Sequence, residues 1–135
     1  MLILFTPINF EKKFDTSYAP IQQDTSLIAS IKRGEVVYED FCMQCHMATG
    51  KGIPGTFPPL AQADFLLKNR EKAIKAVKFG LKGEIKVNGA TYNSIMAPLG
   101  LYDDEVADVM NYILNSWDNQ SSQMVTEKEV AQIEK

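Results

Sequence analysis

Histidine occurs once and cysteine twice among the 135 residues of this chain. Two thiols allow one disulfide at most, so a disulfide-stapled fold is excluded, and a closed zinc site made of Cys and His alone lacks a fourth ligand. A Ser–His–Asp triad survives the arithmetic, but no Gly-x-Ser-x-Gly elbow supports it. Glycine and proline are sparse, at eight and six residues, which rules out a collagen-like or low-complexity protein. No run approaches the roughly 18 apolar residues that would mark a membrane-spanning helix. Positive charge is not in excess: the net charge of −3 argues against a nucleic-acid partner. What remains, 45% hydrophobic and 23% charged residues, is the composition of one ordinary globular domain.

The charge is unevenly distributed along the chain. Lys68, Arg70, Lys72, Lys75, Lys78, Lys82 and Lys86 face only Glu71 and Glu84 within residues 68–86, whereas residues 100–135 hold eight acids and two lysines. Such asymmetry gives a dipole able to orient a charged partner, although a lysine-rich stretch also serves simply as the solvated face of a helix. Residues 1–25 read as an extension. Its apolar start, Met1–Ile8, is too short for the core of a secretory leader and has no basic residue before it, so a leader is expected to be absent or truncated here.

Apolar periodicity predicts a helix from Ser26 to Phe41, with Leu27, Ile31, Val37, Tyr38 and Phe41 as its stripe. A glycine-rich loop over 50–55 follows, and Pro58-Pro59 blocks continuation. A short helical turn is expected near 64–68 and a helix over 70–79, capped by Asn69 and ended by Gly80. Asn88-Gly89 between 84–87 and 90–93 is a hairpin signal. A helix over 103–116 would bury Val106, Val109, Met110 and Ile113. In the tail, Thr126-Glu127-Lys128-Glu129 reads as a capping box and Val125 with Val130 as a hydrophobic staple, predicting a helix over 127–134.

The three rare residues stand together in Cys42-Met43-Gln44-Cys45-His46, the Cys-x-x-Cys-His sequence of covalent haem attachment. Thiols three positions apart on a helical turn can each add to one porphyrin vinyl group, and the histidine that follows lies under the iron. Rival readings fit less well. A thioredoxin-type Cys-x-x-Cys opens a helix, and this one closes a helix; a zinc ribbon needs a second ligand pair. With His46 used, the sixth iron position falls to methionine sulfur, lysine nitrogen or nothing. Met43 and Met47 are too close to the attachment turn, Met110 fits a buried helical stripe, and Met1 and Met124 lie in the extensions. Met96 alone sits in a loop with Pro98, far enough along the chain to reach the other face, which favours it over the blander reading of a gap-filling core residue.

Over residues 26–118 the chain resembles the class I (mitochondrial-type) monohaem cytochromes c. The resemblance is carried by the Cys-x-x-Cys-His motif, the Met96 loop and Gly34, Tyr38 and Cys42 at steps of four. It implies an all-α class I cytochrome c fold, its helices wrapped around one covalent haem c, with a small β-hairpin near 84–93. It also implies thioether links from Cys42 and Cys45, His46 as proximal and Met96 as distal iron ligand, and Leu60 packed on the haem. Pro58, twelve residues beyond His46, would accept a hydrogen bond from its imidazole. Gly34 and Tyr38 would let the last long helix cross closely, through Val109 and Tyr112. That helix departs from the family in having Tyr102 where a Ser or Thr cap is usual, so its cap is expected to fall to Asp103. The segments Gly55–Ala61 and Met96–Leu99 are similar to a bacterial subset found as small carriers and as haem domains serving respiratory enzymes, copper nitrite reductases among them. The implied domain is 26–119, with 120–135 a tail.

A haem with histidine and methionine ligands is coordinatively saturated and has a raised potential. The expected function is therefore one-electron transfer between respiratory redox partners rather than catalysis. An apolar cover from Leu60, Phe65, Leu66, Leu99 and Leu101 would exclude water. Transient docking is expected at a haem edge near Met43, Gln44, Ile53, Pro54, Ala97 and Pro98, with the basic stretch steering an acidic partner. A permanently bound haem subunit of one oxidoreductase is the alternative. An open-site enzyme or gas sensor would require Met96 to leave the iron, and a thiol-redox module would require no haem at all. The resemblance places the protein in the periplasm or at an extracytoplasmic membrane surface.

Overall fold

A computed structural model describes residues 25–135; the expectations for Met1–Ile8 and for a leader lie outside the described residues. In chain order the elements are α1 (Thr25–Phe41), α2 (Met43–His46), α3 (Asp64–Lys68), α4 (Arg70–Phe79), β1 (Ile85–Val87), β2 (Ala90–Tyr92), α5 (Asp103–Ile113) and α6 (Glu127–Ala131). Helices thus dominate, with one antiparallel hairpin in which Ile85 pairs with Tyr92 and Val87 with Ala90. Asn88 and Gly89 both take positive φ, 50° and 79°, as a two-residue primed turn requires.

The principal helix pair is α1 on α5. The buried line of α1 is Ser30, Gly34 and Tyr38, so of the predicted apolar stripe only Tyr38 is fully buried: Leu27, Ile31 and Val37 are half-buried flanks and Phe41 is 47% exposed. The reason is the closeness of the crossing. A Cβ at position 34 would overlap the Asp108 carbonyl oxygen and come 2.9 Å from Cβ of Tyr112, one of the two expected partners, so only glycine fits. The seam beside it is polar. Ser30 Oγ donates to Asp108 Oδ1 at 2.6 Å, and the Arg33 fork reaches both Asp108 oxygens at 2.6 and 2.8 Å. Asp108, although 8% exposed, thus has its charge matched, as burial demands.

Helix α5 buries Val106, Val109, Met110 and Ile113 as its periodicity predicts. Its cap is Tyr102, whose backbone N–H donates to the Glu105 carboxylate at 2.8 Å; an acid in the first turn also suits the helix dipole. It ends three residues before the predicted Ser116. Asn115 Nδ2, Ser116 Oγ and Asn119 Nδ2 bond the carbonyls of Asn111, Tyr112 and Ile113, satisfying the helix end with side chains. Gly80 ends α4 as expected, but the Asn69 side chain makes no cap bond.

Residues 120–131 lie across α5 and the outer side of α4 as a strap. Thr126 Oγ1 accepts from Glu129 N at 3.2 Å, half of the predicted box; the Glu129 carboxylate is taken by Arg70 at 2.7 and 2.8 Å. Helix α6 ends at Ala131 instead of 134, and the N–H groups of Gln132 and Ile133 bond the carbonyls of Glu129 and Val130 in three-residue turns. Val125 and Val130 are both 0% exposed. Asn111 grips the strap as a strand would, its Oδ1 accepting from Val125 N at 2.7 Å and its Nδ2 donating to Val125 O at 2.9 Å. Lys78 Nζ adds a bond to Val130 O at 2.8 Å.

Candidate functional site

Helix α1 delivers Cys42 at its end: Cys42 N still bonds Tyr38 O at 2.9 Å, and His46 N bonds Cys42 O at 2.9 Å through the single turn of α2. The turn brings both thiols and the imidazole to one cleft. Both cysteines are free; Cys42 is buried, which, with Cys45 nearby, pushes its thiol up to about 11. His46 is 8% exposed, and burial lowers its pKa, opposed by a backbone hydrogen bond. That bond runs from Nδ1–H to the Pro58 carbonyl oxygen at 2.9 Å. A carbonyl only accepts, so the neutral ring carries its proton on Nδ1 and keeps a lone pair on Nε2, the state of a metal ligand.

The cleft has two adjoining parts, both lined mainly by apolar side chains. Cys42, His46, Pro58 and Met96 line both; Leu60, Phe65 and Leu66 line the inner part, and Cys45, Phe57, Tyr92 and Leu99 the outer. Leu101 packs on the core instead of lining the cleft. The Met96 loop is held by its backbone, paired both ways with Leu81 at 2.9 Å just beyond α4. Leu81 carried no sequence signal for this. Met110 also reaches the inner wall, from α5, but touches only that part. Met43 is exposed and Met47 half-buried, and neither lines the cleft.

The cleft mouth is apolar. Ile95 is 69% exposed on it, and Phe41, read from sequence as core, stands at the same rim. Met43, Gln44, Ile53, Pro54, Ala97 and Pro98 are all exposed. Of the basic stretch, Lys68, Lys72, Lys75, Lys82 and Lys86 are exposed, whereas Arg70 and Lys78 are not free surface charges. Arg70 holds Glu129, and Lys78, with a side chain 15% exposed, pairs Asp103 at 3.2 Å.

Two free thiols, a neutral buried imidazole with a lone pair and a thioether along one apolar cleft form a donor set that fits haem c. The Cytochrome c family matches residues 31–117. The chain belongs to the cytochrome c family. It is 44% identical over 81 residues to cytochrome c-552 of Thermus thermophilus, covering 56% of this chain and 62% of that protein. A second Thermus thermophilus cytochrome c-552 is equally similar, with 55% of its length covered, so the chain spans less than two thirds of either relative. The gluconate 2-dehydrogenase cytochrome c subunit of Pantoea cypripedii is 31% identical over 133 residues, 90% of this chain and 30% of that subunit. The all-α architecture with its small hairpin is the class I cytochrome c fold, and the family's cofactor is one covalently attached haem c.

Proposed function

We propose that residues 26–119 form a haem c domain for one-electron transfer between redox partners, with Cys42 and Cys45 as thioether links and His46 and Met96 as axial ligands. The observation that carries this reading is the His46 ring, its Nδ1–H given to Pro58 O, in the cleft that the two thiols and Met96 also line. When bound, the haem supplies a one-electron iron couple. The chain's own residues do the rest. Pro58 O fixes the imidazole's tautomer and raises its basicity; Leu60, Phe65, Leu66 and Leu99 keep water from the metal side; the Leu81 pairing holds the Met96 backbone in place. Met96 is favoured over Met110 because it lines both parts of the cleft with His46.

Exposed Phe41, Ile95 and Ala97 on the outer lining of the cleft, with Met43, Gln44, Ile53, Pro54 and Pro98 as exposed uncharged residues outside that lining, support docking at the haem edge, where a small patch allows fast release. The exposed lysines support steering of an acidic partner. We place the protein in the periplasm or at an extracytoplasmic membrane surface, because thioether attachment in bacteria occurs there. Among the described residues no helix is long and apolar enough to cross a membrane. The match across 90% of the chain to a dehydrogenase's cytochrome c subunit favours, as a second reading, a haem subunit bound to one oxidoreductase.

Matured protein should gain the mass of one haem and give a pyridine haemochrome of the two-thioether type. Met96→Ala should open the iron to carbon monoxide at neutral pH and Met110→Leu should not. An unmodified mass would overturn the reading. Co-elution with a neighbouring oxidoreductase in gel filtration would decide for the second.

A further inference from the structure

We propose that Gly52 and Gly80 are positioning residues for the two axial side chains, each walling the backbone carbonyl that fixes one of them. The inference rests on His46 and Met96 being those ligands. Gly52 lies in the loop after the attachment turn, at φ +61°, and its N–H donates to His46 O at 3.0 Å. A Cβ there would overlap the Phe57 carbonyl oxygen and stand 2.6 Å from Pro58 O, the oxygen that receives the His46 Nδ1 proton. The bare Cα face of Gly52 is therefore the surface against which that acceptor rests. Gly80 repeats the arrangement across the cleft. It ends α4 at φ +80°, and a Cβ would stand 2.5 Å from Met96 O and 2.9 Å from Pro98 N. Met96 O is one half of the two-way backbone pair with Leu81 that holds the methionine loop.

In both places the obstructing atoms belong to backbone, which cannot swing aside like the end of a long side chain, so an added methyl group must displace the carbonyl itself. The same two loops contain internal controls. Gly55 (φ +78°) and Gly83 (φ +98°) each lie three residues further on, and a Cβ at either meets nothing within 4 Å. Alanine at any of the four positions adopts a strained left-handed backbone. Only at 52 and 80 does it also strike a carbonyl, so comparing Gly52 with Gly55 and Gly80 with Gly83 separates contact from strain.

The test uses the holoproteins of Gly52→Ala, Gly55→Ala, Gly80→Ala and Gly83→Ala. Proton NMR reads the exchange of the His46 Nδ1 proton and the methyl resonance of iron-bound Met96, alongside the reduction potential and the urea midpoint. Gly52→Ala should speed Nδ1 proton exchange about tenfold, the loss of roughly one hydrogen bond, and raise the potential because a less basic imidazole stabilises ferric iron less. It should leave the Met96 methyl in place. Gly80→Ala should shift or abolish the Met96 methyl signal while the Nδ1 proton stays protected. Gly55→Ala and Gly83→Ala should lower the urea midpoint and keep both signals as in the parent. Equal spectral effects within either pair, or none, overturn the proposal. A parent protein showing neither signal overturns the ligand assignment, and the proposal with it. Should Gly52→Ala not mature, Gly80→Ala against Gly83→Ala decides the question from the other wall.

Discussion

The side chain of Asn111 is 1% exposed and makes three hydrogen bonds: two to the Val125 backbone and one to Ser30 Oγ at 2.8 Å. It therefore ties α5 to both α1 and the strap. Asn111→Ala removes all three and strands the N–H and C=O of Val125, which has 0% exposure. At about 1 kcal/mol net per bond the loss is about 3 kcal/mol, and it rises toward ~4 where the orphaned groups stay dry. With a urea m-value of about 2 kcal/mol/M, the midpoint should fall by roughly 1.5 M. Urea unfolding of the reduced holoprotein measures this, and hydrogen exchange at the Val125 amide shows whether the strap has come loose. A midpoint shift worth less than about 1 kcal/mol, or a Val125 amide still protected as in the parent, would refute the claim that this carboxamide anchors the strap.

Gly34→Ala should cost about 3 kcal/mol or prevent folding, because its Cβ meets the Asp108 backbone; thermal unfolding checks it. Glu129 is held below the usual carboxylate range chiefly by its hydrogen bond from Arg70. A depressed folded pKa contributes stability that is complete above the ordinary value of 4.5 and fades as pH falls through the folded one. Unfolding curves of the parent and Glu129→Gln should therefore differ at neutral pH and converge in acid. Neutralising Lys72 and Lys75 together should flatten the salt dependence of electron transfer. Lys78→Gln should leave that slope alone and cost about 1 kcal/mol of stability, since its ammonium group is engaged with Val130 O and Asp103.

Elements marked by local chemistry were legible in the sequence. Gly80 and the Asn88-Gly89 pair fixed the end of α4 and the hairpin, and the period of Val106, Val109, Met110 and Ile113 gave the buried face of α5. The placing of Cys42, Cys45 and His46 on one turn and the bond from His46 to Pro58 were legible because Cys-x-x-Cys-His has a fixed spacing and the twelve-residue step to the proline belongs to the family. What escaped was whatever depends on a distant partner. The α1 seam is small and polar because Asp108, some 75 positions away, supplies its carbonyl and carboxylate. Hydrophobic periodicity therefore assigned Phe41 to a core that it does not enter. The second half of the α6 capping box depended on whether Glu129 would turn to its own cap or to Arg70, and no local pattern decides between them. Likewise the basic stretch looked uniformly solvated until the strap claimed Arg70 and Lys78.

The strap bears on the rigidity of the cleft. The cleft walls from α4 and α5 are braced from outside by residues 123–130, through carbonyls of Gln123, Met124 and Val130 and both backbone groups of Val125. The bonds from Arg70 and Lys78 span more than 50 positions of sequence, whereas Asn111 and Val125 are 14 apart. Loss of the strap would free all five of those backbone groups at once and leave both walls of the cleft unbraced.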